Sequence, residues 1–169
     1  PVIASEGVSA IVVHAGAERL PLLAGMIASL KQSPQVEQII IVDVGDTPLA
    51  HALAVRWSAD YVHAPAAGPF NRARAVNIGC GLARNDLLLW SDNDLLYAPG
   101  LIQSAINELL TRKLDYLVPY AQIRYLNEHD SLAVLAGTQD PAHCVPLAVL
   151  GTGRGGAADG GVGPPRPCA

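Results

Sequence analysis

The chain has 169 residues, half of them hydrophobic and 15% charged. That is enough for one domain with a real core, too little for two ordinary ones, and too apolar for a disordered chain. The net charge of −4, from 11 basic and 15 acidic residues with no basic run, lacks the footprint of a nucleic-acid binder. No apolar run approaches the roughly 18 residues of a membrane helix.

Taken in chain order, strand-like and helix-like segments alternate. Ser9 to His14 (SAIVVH) is a short β-branched run. Such a run reads as a strand buried on both faces. Pro21 sits where a first helical turn tolerates it. Leu20, Leu23, Ile27 and Leu30 then fall on one helix face, and Ser33-Pro34 ends the helix. Ile39 to Val44 (IIIVDV) is the strongest strand signal, closed by Gly45-Asp46. Thr47-Pro48 predicts an N-cap and a first-turn proline, with a helix to about Ala59. Tyr61 to His63 is a third strand, and Ala64 to Pro69 a loop.

A helix is expected over Asn71 to Arg84, weakened at Gly79 and Gly81 by about 1 kcal/mol each relative to Ala. Leu87 to Trp90 is a fourth strand, followed at once by Ser91-Asp92-Asn93-Asp94. Pro99 opens a helix with Leu101, Ala105, Ile106, Leu109 and Leu110 on its apolar side, and Leu114 to Val118 reads as a fifth strand. This alternation predicts an α/β fold with a mainly parallel sheet, whose ligands bind beyond the carboxyl ends of the strands. Beyond Tyr120 the pattern is weaker. Gly151 to Ala169 holds seven Gly and three Pro in 19 residues and reads as a flexible tail after a domain spanning 1–150.

Chemistry is sought at the strand ends. Asp92 and Asp94 leave a strand together, and alternate residues of an extended segment point the same way. Two carboxylates of this kind suit Mg²⁺ or Mn²⁺ with a phosphate completing the shell. Asp and Asn are also ordinary turn residues, so strand placement carries the functional reading. Asp43, at the end of the second strand, is either an acceptor for a nucleoside or a turn cap; Asp46 fits the cap. Arg72 and Arg74 lie near a helix start suited to phosphate. Being two apart, they do not share a face, so one at most points into a site. Asn77 lies one turn beyond Arg74. The five histidines show no metal-ligand spacing, although His14 and His63 end strands. Cys80, between glycines, reads as small and buried. Three cysteines, odd in number and far apart, argue against a disulfide framework or zinc site and for a reducing, cytoplasmic setting. The sequence opens at Pro1 without an initiator Met, which leaves a removed targeting segment open. No phosphate loop, dinucleotide fingerprint or nucleophile elbow is present.

The segments SAIVVHA, IIIVDVGD and FNRARAVNIGCGLARNDLLLWSDNDLLY together resemble the nucleotide-sugar-binding half of GT-A glycosyltransferases. The likeness is to the family 2 type and to chondroitin-polymerase-like and polypeptide-GalNAc-transferase-like domains, over about residues 8 to 120. It implies a three-layer sandwich with a mostly parallel central sheet, binding a nucleoside-diphosphate sugar, UDP-linked by expectation. On this likeness Asp92 and Asp94 are the D-x-D carboxylates. The last holds a divalent metal, Mn²⁺ or Mg²⁺, on the donor diphosphate, and the first contacts ribose or metal. Asn93 lies between them in the donor site. Asp43 matches the first acid of the family's strand-two pair, with Val44 in the second slot. Val76 takes the family's usual Arg slot, with Arg74 two residues earlier, ahead of Asn77. His14 and Ala15 occupy the strand-one end that approaches the nucleoside.

The likeness also implies a catalytic base in a later acceptor half, with a Gly-Gly and aromatic segment. That segment has no counterpart after Leu150, so the acceptor half is expected to be truncated or altered. Glu128, Asp130 and Asp140 are the carboxylates available there. The readings are therefore a glycosyltransferase with unknown acceptor, or a catalytically silent donor-binding or interaction module on the same fold. A nucleotidyltransferase is a third, for which Ala15 to Arg19 is a faint phosphate loop.

Overall fold

The computed structural model describes residues 7–65 and 68–151. Four parallel strands form the main sheet: β1 (Val8–His14), β2 (Val36–Asp43), β3 (Asp60–His63) and β4 (Leu87–Asp92), in the order β3-β2-β1-β4. The helices are α1 (Leu20–Lys31), α2 (His51–Trp57), α3 (Arg72–Cys80), α4 (Leu101–Arg112) and α5 (Glu128–Leu135). Two short strands, β5 (Gln122–Tyr125) and β6 (Ala148–Gly151), pair antiparallel beside this unit.

The apolar runs explain the layering. Every residue of β1 is buried, so both of its faces are covered. On one face Val8, Ala10, Val12, Ile39 and Ile41 pack with Leu23, Met26, Ile27 and Leu30 of α1, Ala54 of α2, and Ile102 and Ile106 of α4. The four α1 side chains are fully buried, worth about 1.5–3 kcal/mol each. On the other face Ile11, Val13, Ile40 and Val42 meet Ala75, Val76 and Ile78 of α3. The result is the expected α/β sandwich with helices on both faces of a parallel sheet. Gly79 makes the α3 contact as close as it is, because a Cβ there would overlap Ile11 Cγ2. The glycine that weakens the helix in isolation is what lets it reach the sheet.

The amino ends of the strands are tied by a polar network. Gln38 Oε1 accepts from Ser9 Oγ (2.6 Å) and Arg84 N (2.8 Å), and its Nε2 donates to Asp60 (2.6 Å) and the Leu82 carbonyl (3.0 Å). Asn85 donates to Ser9 Oγ from both its backbone and side-chain nitrogens, each at 3.1 Å.

Several expectations are corrected. Helix α3 stops at Cys80 rather than Arg84, because the amides of Arg84 and Asn85 donate to Gln38 and Ser9 instead of helix carbonyls. Helix α2 begins at His51, not behind Thr47-Pro48, because Asp43 Oδ2 accepts the Ala50 N–H at 2.8 Å and fixes the entry there. Leu114 to Val118 forms no strand; Tyr116 and Val118 are exposed, with no sheet edge beside them, and the next strand is β5. Strand β4 ends the sheet's order, and on its α3-side face Leu88 and Trp90 are exposed, so it is not buried on both faces. Of the two described cysteines, Cys80 is exposed and Cys144 buried. The Gly- and Pro-rich segment lies outside the described residues from 152 onward.

Candidate functional site

The chain runs β1, β2, β3 in one direction across the sheet and then jumps back to place β4 on the other side of β1. Such a reversal leaves a crevice at the carboxyl ends of the two diverging strands. A cleft of about 290 Å³ opens there, lined by Val13, Ala15, Arg19, Phe70, Arg72, Asp92, Asn93 and Asp94. Val13 and Asp92 are register partners in β1 and β4.

Asp92 and Asp94 both line this cleft, half-exposed, and each carries an arginine. Arg72 Nη2 lies 2.6 Å from Asp92 Oδ1, and Arg19 pairs with Asp94. Gly16, with φ +90°, turns the chain off β1 into a short 3-10 turn at Ala17–Arg19, which brings Arg19 over the strand end. Arg72 is the first residue of α3, behind the cap in which Asn71 Oδ1 accepts from Arg74 N at 2.9 Å. Its guanidinium also stacks 4.5 Å from the Trp90 ring centroid.

Asn93 turns inward between the two acids. It is buried, and its Nδ2 lies 2.9 Å from His14 Nδ1. His14 is fully buried, and burial above all holds its pKa below the ordinary 6.5; Asp43 and Glu18 pull the other way, while Arg19 adds to the depression. A neutral His14 accepting from Asn93 carries its proton on Nε2, which has no hydrogen-bond partner among the described residues. Behind Asp92, Ser91 Oγ accepts from Tyr97 OH at 2.9 Å, which braces the strand end.

The expected site residues thus divide. Ala15, Asp92, Asn93 and Asp94 line the cleft, and His14 supports Asn93 from beneath. Asp43 does not line it. Its Oδ2 accepts from Ala50 N and from Tyr61 OH (2.9 Å), so the side chain anchors the start of α2 instead of facing a nucleoside. The same contact, after burial, raises the Tyr61 pKa to about 12. Arg74 reaches the Pro65 carbonyl at 3.4 Å, and Asn77 is exposed on α3; neither lines the cleft.

Arg72 is the arginine that enters. Ala75 and Gly79 are the buried, sheet-facing residues of α3, and a residue three before Ala75 shares their face. That pair of small residues was the available signal. Arg19 falls in the faint phosphate loop read at Ala15 to Arg19, and Phe70 carries no signal.

Two hard carboxylate oxygens on neighbouring residues of one open cleft suit Mg²⁺ or Mn²⁺. Among the described residues no group of three or more His, Cys, Asp or Glu is gathered as a closed cage, so further ligands would be phosphate or water. That is how Mg²⁺ is usually held. The fit is acceptable.

The model of the glycosyl transferase family 2 matches residues 10–133, well over half of the chain. The chain belongs to that family. A mannosyltransferase from Pyrobaculum calidifontis, solved with GDP-Man and Mn²⁺, is similar in structure at TM-score 0.52 and 17% identity, over 76% of this chain and 38% of that one. Glucosyl-3-phosphoglycerate synthase from Mycobacterium tuberculosis, with Mn²⁺, UDP and glucosyl-3-phosphoglycerate, is similar at 0.51 and 19%, over 64% and 41%. The 4-diphosphocytidyl-2C-methyl-D-erythritol synthase of Anaerococcus prevotii is similar at 0.50 and 15%, over 75% and 62%. At these identities the likeness is one of fold, the GT-A type, and it extends to enzymes of different names. The chain spans about two-fifths of the length of the two glycosyl-transfer enzymes. A search of curated proteins finds no match. No helix among the described residues is long and apolar enough to cross a membrane.

Proposed function

We propose that the cleft between β1 and β4 binds the donor of a glycosyl transfer, a nucleoside-diphosphate sugar, through a divalent cation held by Asp92 and Asp94. One observation carries this reading: both acids of the D-x-D leave the sheet into one cleft, beside two arginines. When bound, the cation offsets the charge that gathers on the leaving diphosphate. The protein's own part is positioning. His14 and Tyr97 fix the loop that presents the two acids. Arg72, at the amino end of α3, adds a guanidinium to a helix terminus that already favours anions. Val13, Ala15 and Phe70 supply an apolar wall. With Asp43 engaged elsewhere, the described lining of the cleft holds no acidic side chain beyond Asp92 and Asp94 to select the nucleobase, so UDP and GDP are both candidate leaving groups.

Calorimetry with UDP or GDP and Mn²⁺ tests the reading. Saturable binding that needs the metal, and its loss in Asp94→Ala, are expected. Nucleotide binding that survives EDTA unchanged, or binding of neither nucleotide, would sink it.

A second reading, a donor-binding module without turnover, is favoured by a specific observation. Among the described residues Asp92 and Asp94 are the cleft's only carboxylates, and neither is free to act as a base toward an acceptor hydroxyl. Asp130 is held in the cap of α5 by Asn127, Asp140 caps the 3-10 turn at Pro141–His143, and Glu128 is on the surface. Release of UDP or GDP from the sugar nucleotide, above background and lost in Asp92→Asn, would discard this second reading.

A further inference from the structure

Four of the eight residues lining the cleft are charged, two of each sign, and they are paired one to one. The four charges cancel. A divalent cation arriving alone would leave the cleft with two positive charges in excess. A nucleotide-sugar diphosphate arriving alone would leave it with two negative ones. Arriving together, the two ligands restore neutrality. The donor atoms tell the same story. One oxygen of each carboxylate that would ligate a cation is taken by a guanidinium, Asp94 Oδ2 by Arg19 and Asp92 Oδ1 by Arg72, and the guanidiniums that would clasp a phosphate are engaged with those carboxylates.

We propose that Arg19 and Arg72 act as tethered counterions for Asp94 and Asp92, exchanging carboxylate for diphosphate when the donor binds, so that cation and diphosphate binding depend on each other. This rests on the donor-site reading above and extends it to two positioning residues. The exchange is feasible because the pairs are weak. Arg72 and Asp92 side chains are 42% and 47% exposed, and Arg19 and Asp94 41% and 39%. Ion pairs so open to solvent contribute little and are readily replaced. Neither arginine leaves the cleft when its partner is taken. Arg72 is kept at the mouth by its stack on Trp90 and its place at the start of α3, and Arg19 by the turn at Gly16.

Mn²⁺ binding to the full chain, followed by the loss of the free-ion signal in electron paramagnetic resonance, tests this without any assay of turnover. It is measured with Mn²⁺ alone and with saturating UDP or GDP, for the wild type, Arg19→Gln and Arg72→Gln. In the wild type, nucleotide should tighten Mn²⁺ by roughly tenfold or more. Each variant should bind Mn²⁺ alone about two- to fivefold more tightly, since a carboxylate is unmasked. Each should bind nucleotide less tightly in the presence of Mn²⁺, with the coupling reduced. Effects of opposite sign are the signature, because general damage to the fold would weaken both. Mn²⁺ affinity that is unchanged or weakened in both variants overturns the proposal, and so does nucleotide binding that EDTA leaves unaltered. If neither nucleotide binds to the wild type, the donor reading fails, and the Mn²⁺-alone comparison still decides whether the arginines mask the acids.

Discussion

The two ends of the same four strands are built on opposite principles. At the amino end, the buried Ser9 and Gln38 side chains are satisfied at 2.6–3.3 Å by each other, by the backbone amides of Arg84 and Asn85, by the Asn85 side chain and by Asp60. At the carboxyl end, the charges of Arg19, Arg72, Asp92 and Asp94 are half in water and paired across contacts that solvent can replace. A buried, saturated network resists exchange because breaking it strands polar groups away from water. A half-exposed one can be re-partnered at little cost. The difference teaches where this fold spends its hydrogen bonds on stability and where it keeps polar groups free for a ligand.

The largest effect is expected where that contrast is attacked at the closed end. Gln38→Leu removes both halves of the hub and leaves the Arg84 amide only its longer, 3.3 Å contact with Ser9 Oγ, costing about 3 kcal/mol. In a chain of this size that lowers Tm by roughly 6–12 °C, read by scanning calorimetry, while Mn²⁺-dependent nucleotide binding at low temperature stays as in the wild type. A melting point that does not move would mean the network is ornamental.

Gly79→Ala comes next, because the new methyl meets Ile11 across the α3 contact. Overpacking of this kind costs about 1–3 kcal/mol. As α3 carries Arg72 to the cleft, this variant should lose both stability and nucleotide affinity, and so couples the two ends.

A smaller effect separates His14 from its charged neighbours. Its pKa lies below 6.5 in the folded chain because the imidazole is buried. Below pH 6.5 the unfolded chain takes up a proton that the folded one resists. The His14 contribution is therefore complete above that pH and is lost as pH falls through it toward the folded pKa. Between pH 7 and 5.5 the wild type should lose more Tm than His14→Gln, which keeps an acceptor for Asn93. Equal losses would remove His14 as the cause.

The smallest effect belongs to the open end. Asp94→Asn should alter stability by less than about 1 kcal/mol, since it gives up only an exposed pair, and yet abolish the metal-dependent part of nucleotide binding. A large drop in Tm would show that the acid serves the fold.

Much of this arrangement is legible in the sequence, and the reason is local. The runs at Ala10–Val13 and Ile39–Val42 are apolar throughout because both faces of their strands are covered. The D-x-D stands out because it follows a strand directly. What stays hidden depends on contacts between residues far apart in the chain. Arg19 and Asp94 meet across 75 positions, and no spacing rule reports that. Asp43 has the same composition around it whether it faces a nucleoside or caps α2; only the Ala50 and Tyr61 contacts decide. Arg72 and Arg74 differ by the rotation of one helix, fixed by the burial of Ala75 and Gly79. The run Leu114 to Val118 has strand composition but no neighbouring edge, and composition does not supply one.

The stacking of Arg72 on Trp90 makes the cleft visible to light. The chain holds two tryptophans. Trp57, the last residue of α2, keeps its indole nitrogen buried, whereas Trp90 is 54% exposed beneath a guanidinium. Any event that lifts or re-aims that cation changes the electric field on an indole in the wall of the fold. Emission from a single native fluorophore, with Trp57→Phe as the silent background, therefore follows the arginine without a label.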